Sequence, residues 1–271
     1  MILLFAALLP TLASGDAAAE GAVKLPPPRV QYRMNEASAT RSPWIDANGW
    51  RILRAPDKRY YYDVPENAVA LAAAEAFAYG ANAIVHTSQT GVATFNRILE
   101  FLRAIPEGSL TPIANIGVID DGSDELGEMM NLLTRHNLFY KLVGAPDPHL
   151  DLNIRLGSKE YPKSDAADPD VLARKIRRQL GDEKRLLRLY GSEVVIARLL
   201  GSQGRVRILL LNYATRPVNG LRIRVLGSWP HQKVMAFEKP DLKLEDVAIQ
   251  KGATEFTVSE MSTFVVIDLS R

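Results

Sequence analysis

The hydrophobic period of the chain changes near Leu186, and this change constrains the fold more than any other feature. Before that point, apolar residues recur with helical spacing or in short continuous runs, a pattern typical of helices alternating with buried strands. After it, apolar and polar residues alternate, as in residues 205–208 and 221–225. Such alternation indicates half-buried antiparallel strands. The sequence therefore predicts an α/β part followed by an all-β part.

The α/β part is expected to contain two segments. Residues 29–110 predict a (β/α) barrel-like segment, and residues 111–185 predict an abbreviated flavodoxin-like β-α-β segment. In the first segment we expect strands at residues 50–53, 59–62 and 83–85 and helices at residues 67–80 and 94–104. In the second we expect strands at residues 113–119 and 138–143 and helices at residues 125–136 and 171–180.

Residues 186–271 predict a C-terminal antiparallel β-sandwich. Short alternating segments are separated by turn residues such as those at 201–204 and 217–220, which is the pattern of such sandwiches. Seven strands are expected, near residues 193–200, 205–213, 220–226, 232–238, 243–249, 253–258 and 262–269.

The chain begins with an apolar run at residues 2–12, followed by Ala-Ser-Gly at residues 13–15. The run is too short to cross a bilayer, which needs about 20 residues, so residues 1–15 predict a cleaved signal peptide. We then expect a secreted protein, exported to the bacterial periplasm or beyond. The open alternative is a mis-set gene start, because only the α-amino group supplies the positive charge of a signal peptide. Residues 16–28 end in three prolines and are interpreted as a linker.

The composition excludes several function classes. With 33 Lys+Arg against 31 Asp+Glu, the formal net charge of +2 is too balanced for a nucleic-acid binder. The absence of cysteine excludes disulfides, thiolate metal sites and cysteine nucleophiles. The four histidines lack metal-binding spacing, so we expect neither a metal nor another cofactor. After signal cleavage we expect no membrane segment.

Two charged segments have structural interpretations. The acidic turn at residues 120–125 is explained by turn preference and by capping of the next helix. The basic segment at residues 174–188 is interpreted as a solvated helix face, although it would also suit an anionic polymer.

Several segments together carry a family resemblance. They are residues 44–50 (Trp-Ile-Asp-Ala-Asn-Gly-Trp), 61–65 (Tyr-Tyr-Asp-Val-Pro), 116–120 (Ile-Gly-Val-Ile-Asp), 209–213 (Leu-Leu-Leu-Asn-Tyr) and the closing strand pair at 255–269. In this order they resemble the C-terminal portion of large secreted glycoside hydrolase-like proteins. Those proteins carry a catalytic (β/α) barrel, a glutamine-amidotransferase-like domain and a small β-sandwich. The resemblance implies a carbohydrate ligand and hydrolysis of O-glycosyl bonds.

Two departures from that family weaken the expectation of catalysis. A complete (β/α) barrel needs about 250 residues, so residues 29–110 have room for only about two βα units. An active amidotransferase of this type also needs a cysteine, which is absent, so the middle segment would be degenerate. We therefore expect little or no glycosidase activity from the chain alone, with a second polypeptide or another copy completing the barrel. The alternative is a non-catalytic carbohydrate-binding or interaction module.

The candidate site residues follow from the chemistry of glycosides. Hydrolysis needs two carboxyl groups about 5–10 Å apart, and sugar rings stack on aromatic planes. The weak catalytic candidates are Asp46, between two tryptophans, Asp63, and His86, which follows a predicted strand. Glu36 and Glu66 are further carboxylates in this segment. The candidate carbohydrate-binding residues are Trp44, Trp50, Tyr60, Tyr61 and Tyr62.

Each candidate also has a simpler interpretation. Tryptophans are often core residues, and tyrosines are common in buried strands. Asp63 and Glu66 precede the predicted helix at residues 67–80, where carboxylates stabilise the helix dipole. His86 is a lone histidine at a strand end, so its function depends on which groups the fold places beside it.

Overall fold

The computed structural model describes residues 21–32 and 43–271. The chain divides into two compact units, and the boundary along the sequence lies between Glu107 and Gly108. The predicted signal peptide and Glu36 lie outside the described residues. No helix of the described part is both long enough and apolar enough to cross a bilayer.

The first unit is built on a parallel sheet. Its elements are β1 (Val23–Leu25), β2 (Arg29–Tyr32), β3 (Pro43–Asp46), α1 (Gly49–Arg54), β4 (Arg59–Asp63), α2 (Val69–Ala78), β5 (Asn82–His86) and α3 (Gln89–Ala104). The sheet has three strands in the order β1-β4-β5, all parallel, and β2 and β3 form a separate antiparallel hairpin. The run β4-α2-β5-α3 is the βα repeat that the sequence predicts, and the described residues form no closed barrel.

Two local predictions are wrong in this unit. Residues 50–53 were expected to form a strand, but they lie in α1, whose start is fixed by Asn48. The backbone N–H of Asn48 donates to the buried carboxylate of Glu75 at 2.8 Å, so tertiary contacts override the strand preference of these residues. The expected linker at residues 16–28 contains β1, which pairs with β4 along Val23–Leu25.

The second unit begins with the predicted β-α-β arrangement. Its first elements are β6 (Thr111–Pro112), β7 (Ile116–Ile119), α4 (Asp124–Arg135), β8 (Tyr140–Val143), β9 (Leu152–Ile154) and α5 (Pro169–Leu180). Strands β8, β7 and β9 form a parallel sheet in that order. Ser123 caps α4 by accepting the Leu126 N–H at 3.3 Å, and Asp168 caps α5 by accepting the Val171 N–H at 3.0 Å.

The remainder of this unit is antiparallel. Its strands are β10 (Leu187–Tyr190), β11 (Val195–Ser202), β12 (Arg205–Asn212), β13 (Val218–Leu226), β14 (His231–Ala236), β15 (Leu244–Gln250), β16 (Ala253–Met261) and β17 (Phe264–Ser270). They form a four-stranded sheet, β10-β13-β16-β15, and a five-stranded sheet, β14-β17-β12-β11-β6. One core cluster takes Ile208 and Ile267 from the larger sheet and Ile223 and Phe256 from the smaller. All seven predicted strands are present, and β10 was not predicted.

The antiparallel sheets do not begin a new unit at residue 186. Phe139, which precedes β8, belongs to their core cluster, and Ile113 and Ala114 pack against it. Strand β6 extends the larger sheet by pairing with β11. The structure therefore places the β-α-β segment and the antiparallel sheets in one compact unit.

Candidate functional site

Two of the three catalytic candidates meet at the carboxyl-terminal edge of the parallel sheet in the first unit. Strands β4 and β5 are paired so that their last residues, Asp63 and His86, are register partners. An Asp63 carboxylate oxygen (Oδ1) lies 3.0 Å from Nδ1 of His86. In α/β folds this edge is where ligands bind, because the connecting loops leave the strand ends accessible.

Lys24 of β1 adds a positive charge to this pair. Its Nζ lies 3.8 Å from Oδ2 of Asp63. The hydrogen bond with His86, together with the positive charges of His86 and Lys24, lowers the pKa of the Asp63 carboxyl. Asp63 is therefore ionised near neutral pH and accepts a hydrogen bond from Nδ1–H of His86. In a neutral imidazole, Nε2 then carries the lone pair.

This pair is open to a ligand. The side chains of Asp63 and His86 are 48% and 36% exposed. The ring of Tyr61 stacks against that of His86, with centroids 6.0 Å apart and an angle of 24° between the ring planes. A carboxylate that orients an imidazole is a common acid–base unit, and sugar hydroxyls are suitable partners for both groups. The site thus combines an acceptor, an oriented imidazole and an aromatic ring.

The other tyrosines of β4 do not face this edge. Tyr60 and Tyr62 are buried, and so offer no ring face to a sugar. The Tyr60 hydroxyl donates to the Ala55 carbonyl at 2.7 Å, and the Tyr62 hydroxyl donates to Glu75 Oε2 at 2.9 Å. Side chains alternate across a strand, so Tyr61 takes the opposite face from its two neighbours.

The tryptophans and Asp46 lie around the hairpin and α1. Trp44 and Trp50 are partly exposed, and the Arg51 guanidinium carbon lies 4.3 Å from the centroid of the Trp50 ring, a cation–π contact. Asp46 accepts hydrogen bonds within the hairpin, from Arg29 Nε at 3.1 Å and Gln31 Nε2 at 2.5 Å. Through these contacts Asp46 links the two strands of the hairpin.

Sequence reasoning missed Lys24 and Glu75. Lys24 was assigned to a linker, although the alternating Val-Lys-Leu around it is a short strand pattern. Glu75 is the one charged residue in the Ala-rich stretch at residues 67–80. A lone carboxylate in such an apolar helix must be buried and hydrogen-bonded, which was the available signal. Its partners hold α1 and β4 in place beneath the site.

The described residues contain no group of three or more His, Asp or Glu side chains arranged to hold a metal ion. The side chains at the Asp63–His86 pair offer proton transfer at the imidazole, hydrogen bonding by the carboxylate and contact with the Tyr61 ring.

Comparison with known proteins shows a similarity in fold and no match in sequence. No family model and no curated protein sequence matches the chain. Among solved structures it is similar to α-L-fucosidase isoenzyme 2 from Paenibacillus thiaminolyticus, with a TM-score of 0.55, 10% identity, and coverage of 82% of this chain and 62% of that one. The chain thus spans about three fifths of that protein, and its fold is glycoside hydrolase-like.

Two further solved structures match with lower scores. A maltogenic α-amylase from Thermotoga neapolitana has a TM-score of 0.22 and 12% identity, with 82% of this chain and 57% of that one covered. An endoxylanase from Clostridium papyrosolvens has a TM-score of 0.24 and 10% identity, with 82% and 60% covered.

Proposed function

We propose that the protein binds carbohydrate at the strand edge formed by Lys24, Asp63, His86 and Tyr61. The observation that carries this proposal is the similarity in fold to the α-L-fucosidase over 82% of the chain. The location of the site supports it, because enzymes with parallel βα repeats place their ligands at the carboxyl ends of the strands. The partly exposed rings of Trp44 and Trp50 supply additional aromatic surface in the same unit.

The chemistry of this edge suits a sugar. The Asp63 carboxylate accepts hydrogen bonds from vicinal hydroxyls, Lys24 donates to sugar oxygens, and Nε2 of His86 accepts from a sugar hydroxyl. The Tyr61 ring supplies an apolar contact for C–H groups of a sugar face. Because Asp63 and His86 are already in register across two strands, little side-chain ordering is needed when a sugar binds.

We propose that the chain alone hydrolyses glycosides weakly or not at all. Hydrolysis by the usual route needs a second carboxyl group about 5–10 Å from the first. The contacts at Asp63 are instead with the His86 imidazole and the positively charged Lys24. The chain also spans only 62% of the fucosidase. A second polypeptide or another copy of this chain would supply the missing part of a barrel.

The alternative is a non-catalytic carbohydrate-binding or interaction module. The shared core cluster of the two antiparallel sheets favours a β-sandwich, an architecture common in such modules. For either function we propose export through cleavage of residues 1–15. N-terminal sequencing of protein from a secreting bacterial host tests export, and an intact Met1 in the cytosolic fraction would argue against it.

The proposed site is tested by sugar binding and hydrolysis with the full chain. We expect weak binding of one or more members of a panel of mono- and oligosaccharides, with turnover of aryl glycosides far below about 1 s⁻¹. Asp63→Asn and His86→Gln should weaken binding about five- to tenfold, the loss of one hydrogen bond. Asp57→Asn, the same change at an exposed aspartate of the first unit, should leave binding unchanged.

Two results would overturn this proposal. Absence of binding to every sugar in the panel at millimolar concentration would reject the carbohydrate site. Turnover of about 1 s⁻¹ or more that is lost in Asp63→Asn would show an active glycosidase, and would reject the statement that the chain alone is a poor catalyst.

A further inference from the structure

Two arginines stand opposite each other on the four-stranded sheet of the second unit. Arg188 of β10 and Arg224 of β13 are register partners on neighbouring antiparallel strands. Their side chains are 14% and 9% exposed. Like charges directly opposite each other destabilise a sheet, and burial increases that cost. The pair therefore needs negative charge between or above its guanidinium groups.

The carboxylates near this pair make only long contacts with it. Asp182 Oδ2 lies 3.5 Å from Arg188 Nη1, and Glu255 Oε1 lies 3.7 Å from Arg224 Nε. One carboxylate spans both arginines: Glu183 Oε1 lies 3.9 Å from Arg188 Nη2, and Glu183 Oε2 lies 3.7 Å from Arg224 Nη2. Charged hydrogen bonds are normally about 2.7–2.9 Å long, so all four contacts are loose.

Buried donors of the pair remain without acceptors. Among the described residues, the buried donors Arg188 Nε and Arg224 Nη1 have no acceptor, and neither has Nε of neighbouring Arg185. The other donors of Arg188 are engaged: Nη2 donates to the Asp182 carbonyl and Nη1 donates to the Tyr190 hydroxyl at 3.4 Å. Arg222, two residues before Arg224 on β13, shows the contrast. It donates to Glu255 Oε2 at 3.1 Å and to the Asp246 carbonyl at 3.0 Å. The deficit of acceptors thus distinguishes Arg188 and Arg224 from Arg222 on the same pair of strands.

The region around Arg185 also has more positive than negative charge close to its buried side chain. Its side chain is 7% exposed, and burial, with added repulsion from Arg177 and Arg188, lowers the pKa of Arg185 to about 10. Asp182, its nearest carboxylate, lies 3.9 Å from Arg185 Nη1 and also serves Arg188. A further anion in this cluster would therefore relieve repulsion as well as accept hydrogen bonds.

Glu183 is the group that can make room for such an anion. Its side chain is 87% exposed, although its carboxylate bridges two largely buried guanidinium groups. An exposed carboxylate gains full hydration when it swings away, so its departure costs little. The bridging position, with one oxygen for each arginine, fits a planar oxyanion of the same shape.

We propose that Arg188 and Arg224 form a binding site for the carboxylate of an acidic sugar, which displaces Glu183. The oxyanion class follows from the geometry, since the group now bridging the two arginines is itself a carboxylate. The choice of a sugar as its carrier rests on the proposed carbohydrate function. The site belongs to the second unit, and its residues are distinct from those of the Asp63–His86 pair.

The test is a titration of the full chain with glucuronate, and with glucose and inorganic sulfate in parallel. We expect saturable glucuronate binding that is lost in the double variant Arg188→Gln/Arg224→Gln and weakens at high salt. Arg216→Gln, the same change at an exposed arginine of the second unit, serves as the control and should bind as the unsubstituted chain does.

Glu183→Gln gives the sharper measurement, because it requires no disruption of the sheet. It removes the competing carboxylate from a side chain that is mostly in solvent, so glucuronate affinity should rise about fivefold, the size of one exposed ion pair. Glu193→Gln makes the same charge change at another exposed position and should leave the affinity unchanged. A purely structural role for Glu183 predicts no such gain.

Several results would overturn the proposal, and each is independent of the first site. They are an unchanged affinity in Glu183→Gln, retained glucuronate binding in a folded double arginine variant, and binding of sulfate as tight as that of glucuronate. The last would indicate a site for small oxyanions without an acidic sugar. Asp63→Asn separates the two proposals, because it should weaken binding of neutral sugars without affecting glucuronate at the arginines.

Discussion

Glu75 shows how one buried residue can hold several elements together. Its carboxylate is fully buried and accepts hydrogen bonds from the Asn48 backbone N–H, the Asn48 side-chain amide at 3.0 Å and the Tyr62 hydroxyl. Burial, together with the electrostatic effect of Glu75 and this hydrogen bond, raises the pKa of Tyr62 well above its ordinary value. Three donors satisfy carboxyl oxygens that would otherwise be very costly to bury. α1, α2 and β4 are thereby fixed relative to one another.

We expect Glu75→Gln to lower the free energy of unfolding by about 2–4 kcal/mol, because a side-chain NH₂ would then face a donor and buried hydrogen bonds would be lost. Urea denaturation of the full chain measures it. Glu66→Gln, the same change at an exposed position, should cost less than about 0.5 kcal/mol. Equal losses in the two variants would show that the network is energetically unimportant.

His136 makes the stability of the second unit depend on pH. Burial lowers the pKa of His136, and the hydrogen bond between its Nε2 and Asp170 Oδ1, 3.0 Å long, only partly opposes this. A lowered folded pKa means that the unfolded chain takes up the proton first as pH falls below about 6.5, the ordinary value for histidine. Stability is therefore full above that pH and is lost progressively below it.

We expect the melting temperature to fall between pH 7.5 and pH 5.5 by less in His136→Gln than in the unsubstituted chain. Thermal denaturation followed by circular dichroism at both pH values measures the difference. His149→Gln, which removes an exposed histidine, should retain the full fall. A pH dependence identical in all three proteins would contradict the assignment to His136.

At the scale of elements, the sequence predicts a helix or strand correctly where its buried apolar residues recur with a regular period. β12 and β13 were predicted because one face of each is apolar, and α4 because its apolar residues recur on one side. α1 and β1 were missed since their state is set by distant partners, the Glu75 carboxylate and β4. β10 has Arg188 on one face and lies at the edge of its sheet, so its four residues carry little pattern.

Asn137 links the β-α-β segment to the larger antiparallel sheet. Its side-chain oxygen accepts the Ala197 N–H at 2.7 Å, and its amide donates to the Val195 carbonyl at 3.2 Å. The side chain thus mimics a neighbouring strand for β11. Its φ of 52° lies in the left-handed region, which asparagine tolerates better than most residues.

We expect Asn137→Ala to cost about 2–4 kcal/mol, because two buried backbone groups lose their partners and alanine is strained at that φ. Asn137→Gly should recover about 1 kcal/mol by relieving the strain alone. Denaturant unfolding of the three proteins measures both effects, with Asn219→Ala as an exposed control. If the alanine and glycine variants were both as stable as the unsubstituted chain, the strand mimicry would contribute nothing.

For the whole molecule, the sequence placed Asp63 and His86 near strand ends but could not place them together. Their contact depends on the register of β4 with β5. The position of Lys24 beside them depends on β1 pairing with β4 in the same sheet. The expected division at residue 186 has a similar explanation. The hydrophobic period changes there, but Phe139 and β6 carry the core of the antiparallel sheets back into the preceding segment. The hydrophobic pattern of the sequence marks where helices and parallel strands give way to antiparallel strands. The boundary between compact units is set instead by which residues share a hydrophobic core.

Because each unit buries its own core, we expect calorimetry of the full chain to show two unfolding transitions. Glu75→Gln should lower the midpoint temperature of only the first unit's transition, and Asn137→Ala that of only the second unit's. The two variants therefore assign each transition to its unit. Glucuronate at about ten times its dissociation constant should then raise the second transition by about 2–5 °C, since ligand binding adds about 1.4 kcal/mol to stability. A single transition lowered by both variants would show that the two units unfold together, and a rise confined to the first transition would place glucuronate at the Asp63–His86 pair instead.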